Sequence, residues 1–318
     1  MARFLCDNET MSDREPPAPP LPPPLIERFN LLNDVLFKKL FGEKGDEPQL
    51  LAFLKPILAR TGRELESIEI LEDTAQRPET LAGKAGILDS RGRLSNGNYC
   101  NVEVQRQNQW NIERRSLFYW AKEYSSSIVS GQNYRQLPDV IAVNLLDFNY
   151  FPLSNFHTSY HLWEDTDKTH KLTDAIEMHF IEMPKFRKLP EKDIRSNELH
   201  RWLSFLDVET PLTLIKEIIQ MDTVIAQTEE SLKRFVQNDA VRHAYLRQEM
   251  AALDELSRNE GAWTDGRKAG MEAGMEKGME KGMEAAAQNA LREGLSVDSI
   301  QRITGLPAEA IKKLSLPR

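Results

Sequence analysis

Residues 99–105 read Tyr99-Cys100-Asn101-Val102-Glu103-Val104-Gln105. In a β-strand, side chains i and i+2 share a face. Glu103 and Gln105 therefore project together, while Val102 and Val104 point the other way, into a core. Upstream, Leu94-Ser95-Asn96-Gly97-Asn98-Tyr99 is a hairpin signal, and the nearest acid beyond it is Asp89. Loop length decides what Asp89 meets. A two-residue turn on Asn96-Gly97 pairs residues whose numbers sum to 193 and sets Asp89 against Val104, on the wrong face. A three-residue loop, Ser95 to Gly97, pairs residues summing to 192 and sets Asp89 against Glu103 and Ile87 against Gln105. The second register is the expected one.

Working outward, Leu31, Val35, Leu36, Leu40 and Phe41 repeat at helical spacing, with Asn33 as cap and Gly42 and Gly45 as stops. A second helix runs through Leu50, Leu51, Phe53, Leu54 and Leu58. Strands are expected at 67–71, 85–90, 99–105, 140–145, 160–163 and 177–182. A helix is expected from Ile112 to Ile128. The resulting order, α-β-β-β-α-β with added strands, is a mixed α/β fold, and helices dominate from about Ser196 onward.

At 318 residues the chain has room for two domains or for one with appendages. No apolar run approaches the roughly 20 residues that span a bilayer, so no membrane partner is expected. The N-terminus does not read as a signal peptide. With only Cys6 and Cys100 present, a disulfide framework is not expected, which favours the reducing cytosol. The net charge of -8 argues against a protein that coats nucleic acid nonspecifically. The charge is uneven, however. Between Lys84 and Arg135, eight bases, among them Arg106, Arg114 and Arg115, oppose four acids. The suspected site therefore lies in a locally basic stretch.

Four regions follow. Residues 1–27 are a polar, then proline-rich leader that reads as disordered or polyproline II. Residues 28–235 carry the α/β domain. Residues 236–290 form a helical linker in which Gly266, Gly270, Gly274, Gly278 and Gly282 recur every four residues. Each Gly costs a helix about 1 kcal/mol relative to Ala, so so regular a repeat suggests a small-residue stripe for close helix approach, and hence a homo-oligomer; a frayed repetitive linker is the alternative. Residues 291–318 read helix-turn-helix around Gly305-Leu306-Pro307, with Ser296 and Pro307 suited to helix starts. From Glu260 to Arg318 nine acids and nine bases leave no net charge, whereas a DNA-reading helix is normally more basic, so a small oligomerisation or partner module is an equal reading of this end.

Strand carboxylates at Asp89 and Glu103 suit Mg²⁺ or Mn²⁺, which prefer hard oxygen ligands. Such an ion polarises a phosphoryl oxygen and lowers the pKa of a bound water. The pattern thus points to metal-assisted phosphodiester hydrolysis, with Gln105 orienting the water. Asp34, on the first helix, is a further acidic candidate. Arg115 and Tyr119 form an i,i+4 pair that suits a scissile phosphate, and Arg106 adds a DNA-binding cation. Plainer readings stand beside these: Asp89 as a turn-adjacent surface acid, Glu103 on an exposed edge strand, Asp34 as a helix N-terminal charge, and Arg115 and Tyr119 as structural residues. The six histidines are scattered, and no zinc site is read.

With these residues laid out, the chain resembles the PD-(D/E)XK nuclease superfamily. More narrowly, it is similar to the bacterial recombination-promoting nuclease and transposase family. The carrying segments are Asn33-Asp34-Val35-Leu36-Phe37-Lys38-Lys39-Leu40-Phe41-Gly42, Leu88-Asp89, Asn101-Val102-Glu103-Val104-Gln105, Glu113-Arg114-Arg115-Ser116-Leu117-Phe118-Tyr119-Trp120 and Val140-Ile141-Ala142-Val143-Asn144-Leu145-Leu146-Asp147-Phe148. The resemblance implies a restriction-endonuclease-like core and a Mg²⁺-dependent DNA endonuclease linked to recombination, with Asp89 and Glu103 as metal ligands. Gln105 stands where the superfamily signature has lysine, which removes a cation near the phosphate, and no Pro precedes Asp89.

Overall fold

The computed structural model of the chain describes residues 28–71, 90–128, 131 and 133–314. The proline-rich leader, Asp89 and most of the strand expected at 85–90 lie outside these described residues.

Helix α1 (Asp34–Phe41) starts where Asn33 accepts a hydrogen bond from the Val35 N–H, and it ends at Gly42. Helix α2 (Glu47–Leu58) follows, with Pro48 in its first turn, where the missing N–H costs nothing. Leu36, Phe37, Leu40 and Phe41 of α1 and Phe53 of α2 are buried. Phe41 and Phe53 meet Trp202 edge-on at 5.8 and 6.1 Å between ring centroids. Trp202 belongs to α5 (Glu198–Leu206); α6 (Leu212–Met221) and α7 (Thr223–Gln237) complete this helical layer.

The strands are β1 (Ile68–Ile70), β2 (Ser90–Leu94), β3 (Tyr99–Gln105), β4 (Val140–Leu146), β5 (His157–Tyr160) and β6 (Ile176–Glu182). They form one six-stranded mixed sheet in the order β1-β2-β3-β4-β6-β5. Strand β3 runs parallel to β4, and β4 parallel to β6; the outer pairs are antiparallel. A parallel neighbour needs a crossover, and helix α3 (Ile112–Ser126) supplies it between β3 and β4. Because the middle strands are covered on both faces, β4 and β6 are buried throughout.

Helix α3 lies on the sheet face that carries Glu103. Its Ser116 hydroxyl accepts a hydrogen bond from Asn144, which is the ladder partner of Glu103. Arg91 of β2 binds buried Glu123 of α3 through two hydrogen bonds of 2.6 Å, which ties the helix to the far side of the sheet. On the opposite face, the turn after α2 brings Thr61 and Arg63 onto Glu177 of β6.

Three sequence expectations change. The β2 ladder runs on past Ser90 to Leu94. The strand expected at 160–163 is instead paired at 157–160, and Trp163 makes an isolated bridge with Lys171. The aromatic run Tyr160 to Trp163 carried the expectation, whereas the pairing residues are held by His157, whose burial in a polar network leaves no apolar signal. Helix α3 stops at Ser126 rather than Ile128, and a short helix α4 (Met183–Arg187) follows β6.

The chain divides into two compact units, up to Arg242 and from His243. Helix α8 (Asp239–Arg292) is continuous through every glycine of the four-residue repeat. In the C-terminal unit, α9 (Val297–Thr304) is capped by Ser296. Gly305, at φ 70°, turns the chain into α10 (Ala308–Leu314). Ala287, Ile300 and Ile311 form that unit's small core.

Candidate active site

The β2–β3 hairpin sets the site. Ser90 pairs with Val102, Arg91 with Asn101, Gly92 with Cys100 and Arg93 with Tyr99. Every pair sums to 192, the register of the three-residue loop. The loop closes with Leu94 N–H on the Asn98 carbonyl at 2.8 Å, and Gly97 takes φ +86°, the left-handed position that such a loop requires.

Strand β3 then presents Asn101, Glu103 and Gln105 on the α3 face, while Val102 and Val104 are buried on the other. Glu103 is only 5% exposed, on an interior strand and not an edge. Arg115 grips its Oε1 from α3, with Nε and Nη2 both at 2.5 Å. Burial raises the Glu103 carboxyl above its usual range; the Arg115 charge and hydrogen bond oppose this, and Asp34 raises it further. Asp34 itself is exposed in the first turn of α1, so its charge and that of Glu103 share one field.

Beside Glu103 stand amide groups without partners. Gln105 Oε1 is buried with no hydrogen bond, and so are both amide atoms of Asn101. Orphaned buried polar atoms cost about 1–3 kcal/mol each and call for an explanation. Sequence reasoning passed over Asn101; the signal that finds it is the same two-residue alternation that pairs Glu103 with Gln105.

Arg115 and Tyr119 are together as expected, with the guanidinium 5.4 Å from the ring centroid. The guanidinium also spans to Glu103, so its charge serves the carboxylate in this state. Arg106 stands one residue beyond β3; burial raises the Asp147 carboxyl above its usual range, and the charges of Arg187 and, less, Arg106 oppose this. Asp147 is itself bound to Arg187 at 2.6 Å. Asp89 lies outside the described residues. Among the described residues, no group of three or more His, Cys, Asp or Glu side chains is arranged to hold a metal ion.

A second polar cluster lies on the opposite face of the sheet. Glu177 accepts from Thr61, from Arg63 at 2.5 Å and, at 2.8 Å, bonds His179; His179 in turn lies 2.9 Å from His157. Burial alone would raise the Glu177 carboxyl, but these hydrogen bonds and the Arg63 charge together hold it well below the usual range.

A mixed six-stranded sheet with a crossover helix over a Glu-x-Gln strand defines a restriction-endonuclease-like protein of nuclease type. The chain belongs to the PD-(D/E)XK nuclease family transposases, whose family profile matches residues 31–262. Neither the curated proteins nor the solved structures give a match.

Nucleases of this superfamily generally use divalent metals. The donor chemistry here fits one. A buried carboxylate with an unsettled charge stands between two buried amide oxygens that lack hydrogen bonds, and all three are the hard donors that Mg²⁺ or Mn²⁺ takes.

Proposed function

We propose that the protein is a Mg²⁺- or Mn²⁺-dependent DNA endonuclease that hydrolyses phosphodiester bonds in the recombination of mobile DNA. The observation that carries this reading is Glu103: buried, raised in pKa and only partly neutralised by Arg115. A cation would complete its compensation.

Asp89 and Glu103 are the proposed ligands. Carrying the 192 ladder one step beyond Ser90 would set Asp89 against Glu103, which supports the pairing. When bound, the ion supplies a Lewis acid for the phosphoryl oxygen and a bound water of lowered pKa. Gln105 Oε1, having no other partner, accepts a hydrogen bond from the attacking water and so orients it. Asp34 adds a remote negative charge that favours cation entry. Gln105 cannot provide the signature lysine's charge; Arg115, already at the carboxylate, brings a fixed cation to the scissile phosphate, with the Tyr119 ring backing it. Arg106 contributes to the basic surface along the strand's end.

A second reading rests on Gln105: a catalytically weak DNA-binding or scaffold protein that keeps the fold. Plasmid nicking with Mg²⁺ separates the two. Wild type should nick, and the Asp89→Ala/Glu103→Ala protein should not. Nicking that survives the double substitution sinks the assigned site, and no cleavage with any divalent metal favours the scaffold reading.

The self-association reading of α8 extends the proposal to paired cuts by two copies. Support comes from the unbroken helix and from Met271, Met275 and Met279, exposed beside the glycines. A cytoplasmic setting suits Cys100, a buried free thiol whose pKa burial pushes up to about 12. No helix among the described residues is long and apolar enough to cross a membrane.

A further inference from the structure

Trp110 is the outlying residue of the segment that joins β3 to α3. It is 76% exposed. Its backbone sits at φ 55°, the one non-glycine residue with positive φ among the described residues. A bulky residue there is strained, and such strain persists where the surroundings over-determine it, typically at functional sites. Here Asn108 Oδ1 accepts the Trp110 N–H at 2.8 Å and fixes the turn. Nothing in the sequence demanded Trp: Gly or Asn would hold this backbone at less cost. The strain is spent on presenting an indole to solvent.

The placement is close to the chemistry. The next residue, Asn111, stands at the N-cap of α3, where its backbone carbonyl accepts the Arg115 N–H at 2.9 Å, and Arg115 is the residue on Glu103. One helical turn and one further residue put the Trp110 Cα within about 10 Å of the Arg115 Cα. The indole's neighbours suit a nucleobase. Tyr150 lies 6.2 Å away between centroids; its hydroxyl donates to Glu113. The charge of exposed Arg114 acts on both Glu113 and Tyr150, so a cation stands by the aromatic pair. An exposed ring beside a basic side chain is the pairing that binds unpaired nucleic acid, because every base offers a π-face and every nucleotide a phosphate.

We infer that Trp110 is a base-stacking residue that engages an unpaired nucleotide next to the scissile phosphate, so that the substrate class is DNA with single-stranded or splayed character. This rests on the nuclease reading and adds the form of DNA that the site takes.

Binding by the full chain, measured in EDTA so that no cleavage intervenes, tests it. The probes are a single-stranded oligodeoxynucleotide carrying 2-aminopurine and the same sequence as a blunt duplex. Trp110→Asn keeps the left-handed backbone and removes the ring; Trp110→Tyr restores a ring. Wild type should prefer the single strand and quench 2-aminopurine. Trp110→Asn should lose about 5- to 100-fold in single-strand affinity, with the quenching, while duplex affinity stays within about twofold; Trp110→Tyr should recover most of the loss. Equal affinities of wild type and Trp110→Asn for the single strand, or equal losses on both probes, overturn the inference and leave metal-dependent nicking at Glu103 standing. A wild type that binds neither probe overturns the inference, while the nuclease reading is decided by nicking with Mg²⁺.

Discussion

Replacing Glu103 with Gln removes a charge that the fold accommodates at a cost. The carboxylate is 5% exposed and touches one cation through one oxygen. Its pKa lies above the ordinary 4.5 chiefly because burial disfavours the charged form. A raised carboxylate pKa means that ionisation destabilises the fold, from about pH 4.5 upward, with the full cost present above the folded pKa. Glu103→Gln abolishes that cost, and Arg115, 34% exposed at its side chain, can turn to water. In EDTA at pH 7.5 the variant should therefore melt at or above the wild-type temperature, and the difference should fade as the pH drops toward 4.5. With Mg²⁺ the order reverses. At a free concentration of 100 times Kd, a bound ion stabilises by about 2.7 kcal/mol. For a domain of this size that raises Tm by about 5–11 °C. Glu103→Gln, lacking the charge, should show little of this rise. Calorimetry or thermal-shift melting with and without Mg²⁺ reads both effects. A variant that melts well below wild type in EDTA, or that keeps the full Mg²⁺ shift, refutes the argument that this carboxylate is held in reserve for a cation.

Arg115→Ala should slow plasmid nicking by about 10²–10³-fold, the scale for losing one preorganised donor. Because Arg115 lowers the Glu103 pKa, the variant's pH–rate profile should also move to higher pH, and a profile that keeps its position would separate Arg115 from the carboxylate. His157 is buried, and burial with the neighbouring His179 and Arg60 charges lowers its pKa to about 3. Its stabilising contribution is complete above about pH 6.5 and declines as pH falls toward 3, by about 1.4 kcal/mol per unit; urea midpoints for wild type and His157→Phe between pH 7 and 5 should converge on acidification, and parallel curves would refute the assignment. In α8, a Cβ at Gly274 or Gly278 meets nothing within 4 Å. Gly274→Ala/Gly278→Ala should strengthen the helix by about 1 kcal/mol per site while shifting light-scattering mass toward monomer; an unchanged oligomer would remove the glycine stripe from the interface.

The site was legible to the extent that strand period and turn length are local. The alternation from Tyr99 to Gln105 put Glu103 and Gln105 on one face, and the sum of 192, expected because it sets Asp89 against Glu103, is the register that the β2–β3 ladder takes from Ser90 to Arg93. Capping by Asn33 and Ser296 was equally local. What escaped was set by distant partners. That Arg115 would bond Glu103 depends on how α3 crosses the sheet, fixed by Arg91–Glu123 and Asn144–Ser116. The shift of β5 to 157–160 follows from His157 packing on His179, a contact between residues that periodicity treats as polar.

Four buried glutamates show why Glu103 stands apart. Glu123 is held by two bonds from Arg91. Glu182 accepts from Lys185 and from the Tyr150 and Phe151 N–H groups. Glu177 has Thr61, Arg63 and His179, and its pKa is driven down. Glu177 and Glu182 are compensated from more than one direction, as a buried charge must be if its role is to hold elements together, and Glu123 meets its arginine through both carboxylate oxygens. Glu103 sits in the same sheet, two strands from Glu177 and on the other face. It has one donor residue, an acid in its field and unpartnered amides on either side, and its pKa moves up. Packing does not account for leaving this glutamate with one oxygen bonded when Glu177 and Glu182 of β6 satisfy theirs from several donors. A site that must accept a hydrated cation and a phosphate does, because groups already saturated by the protein have nothing left to offer a ligand.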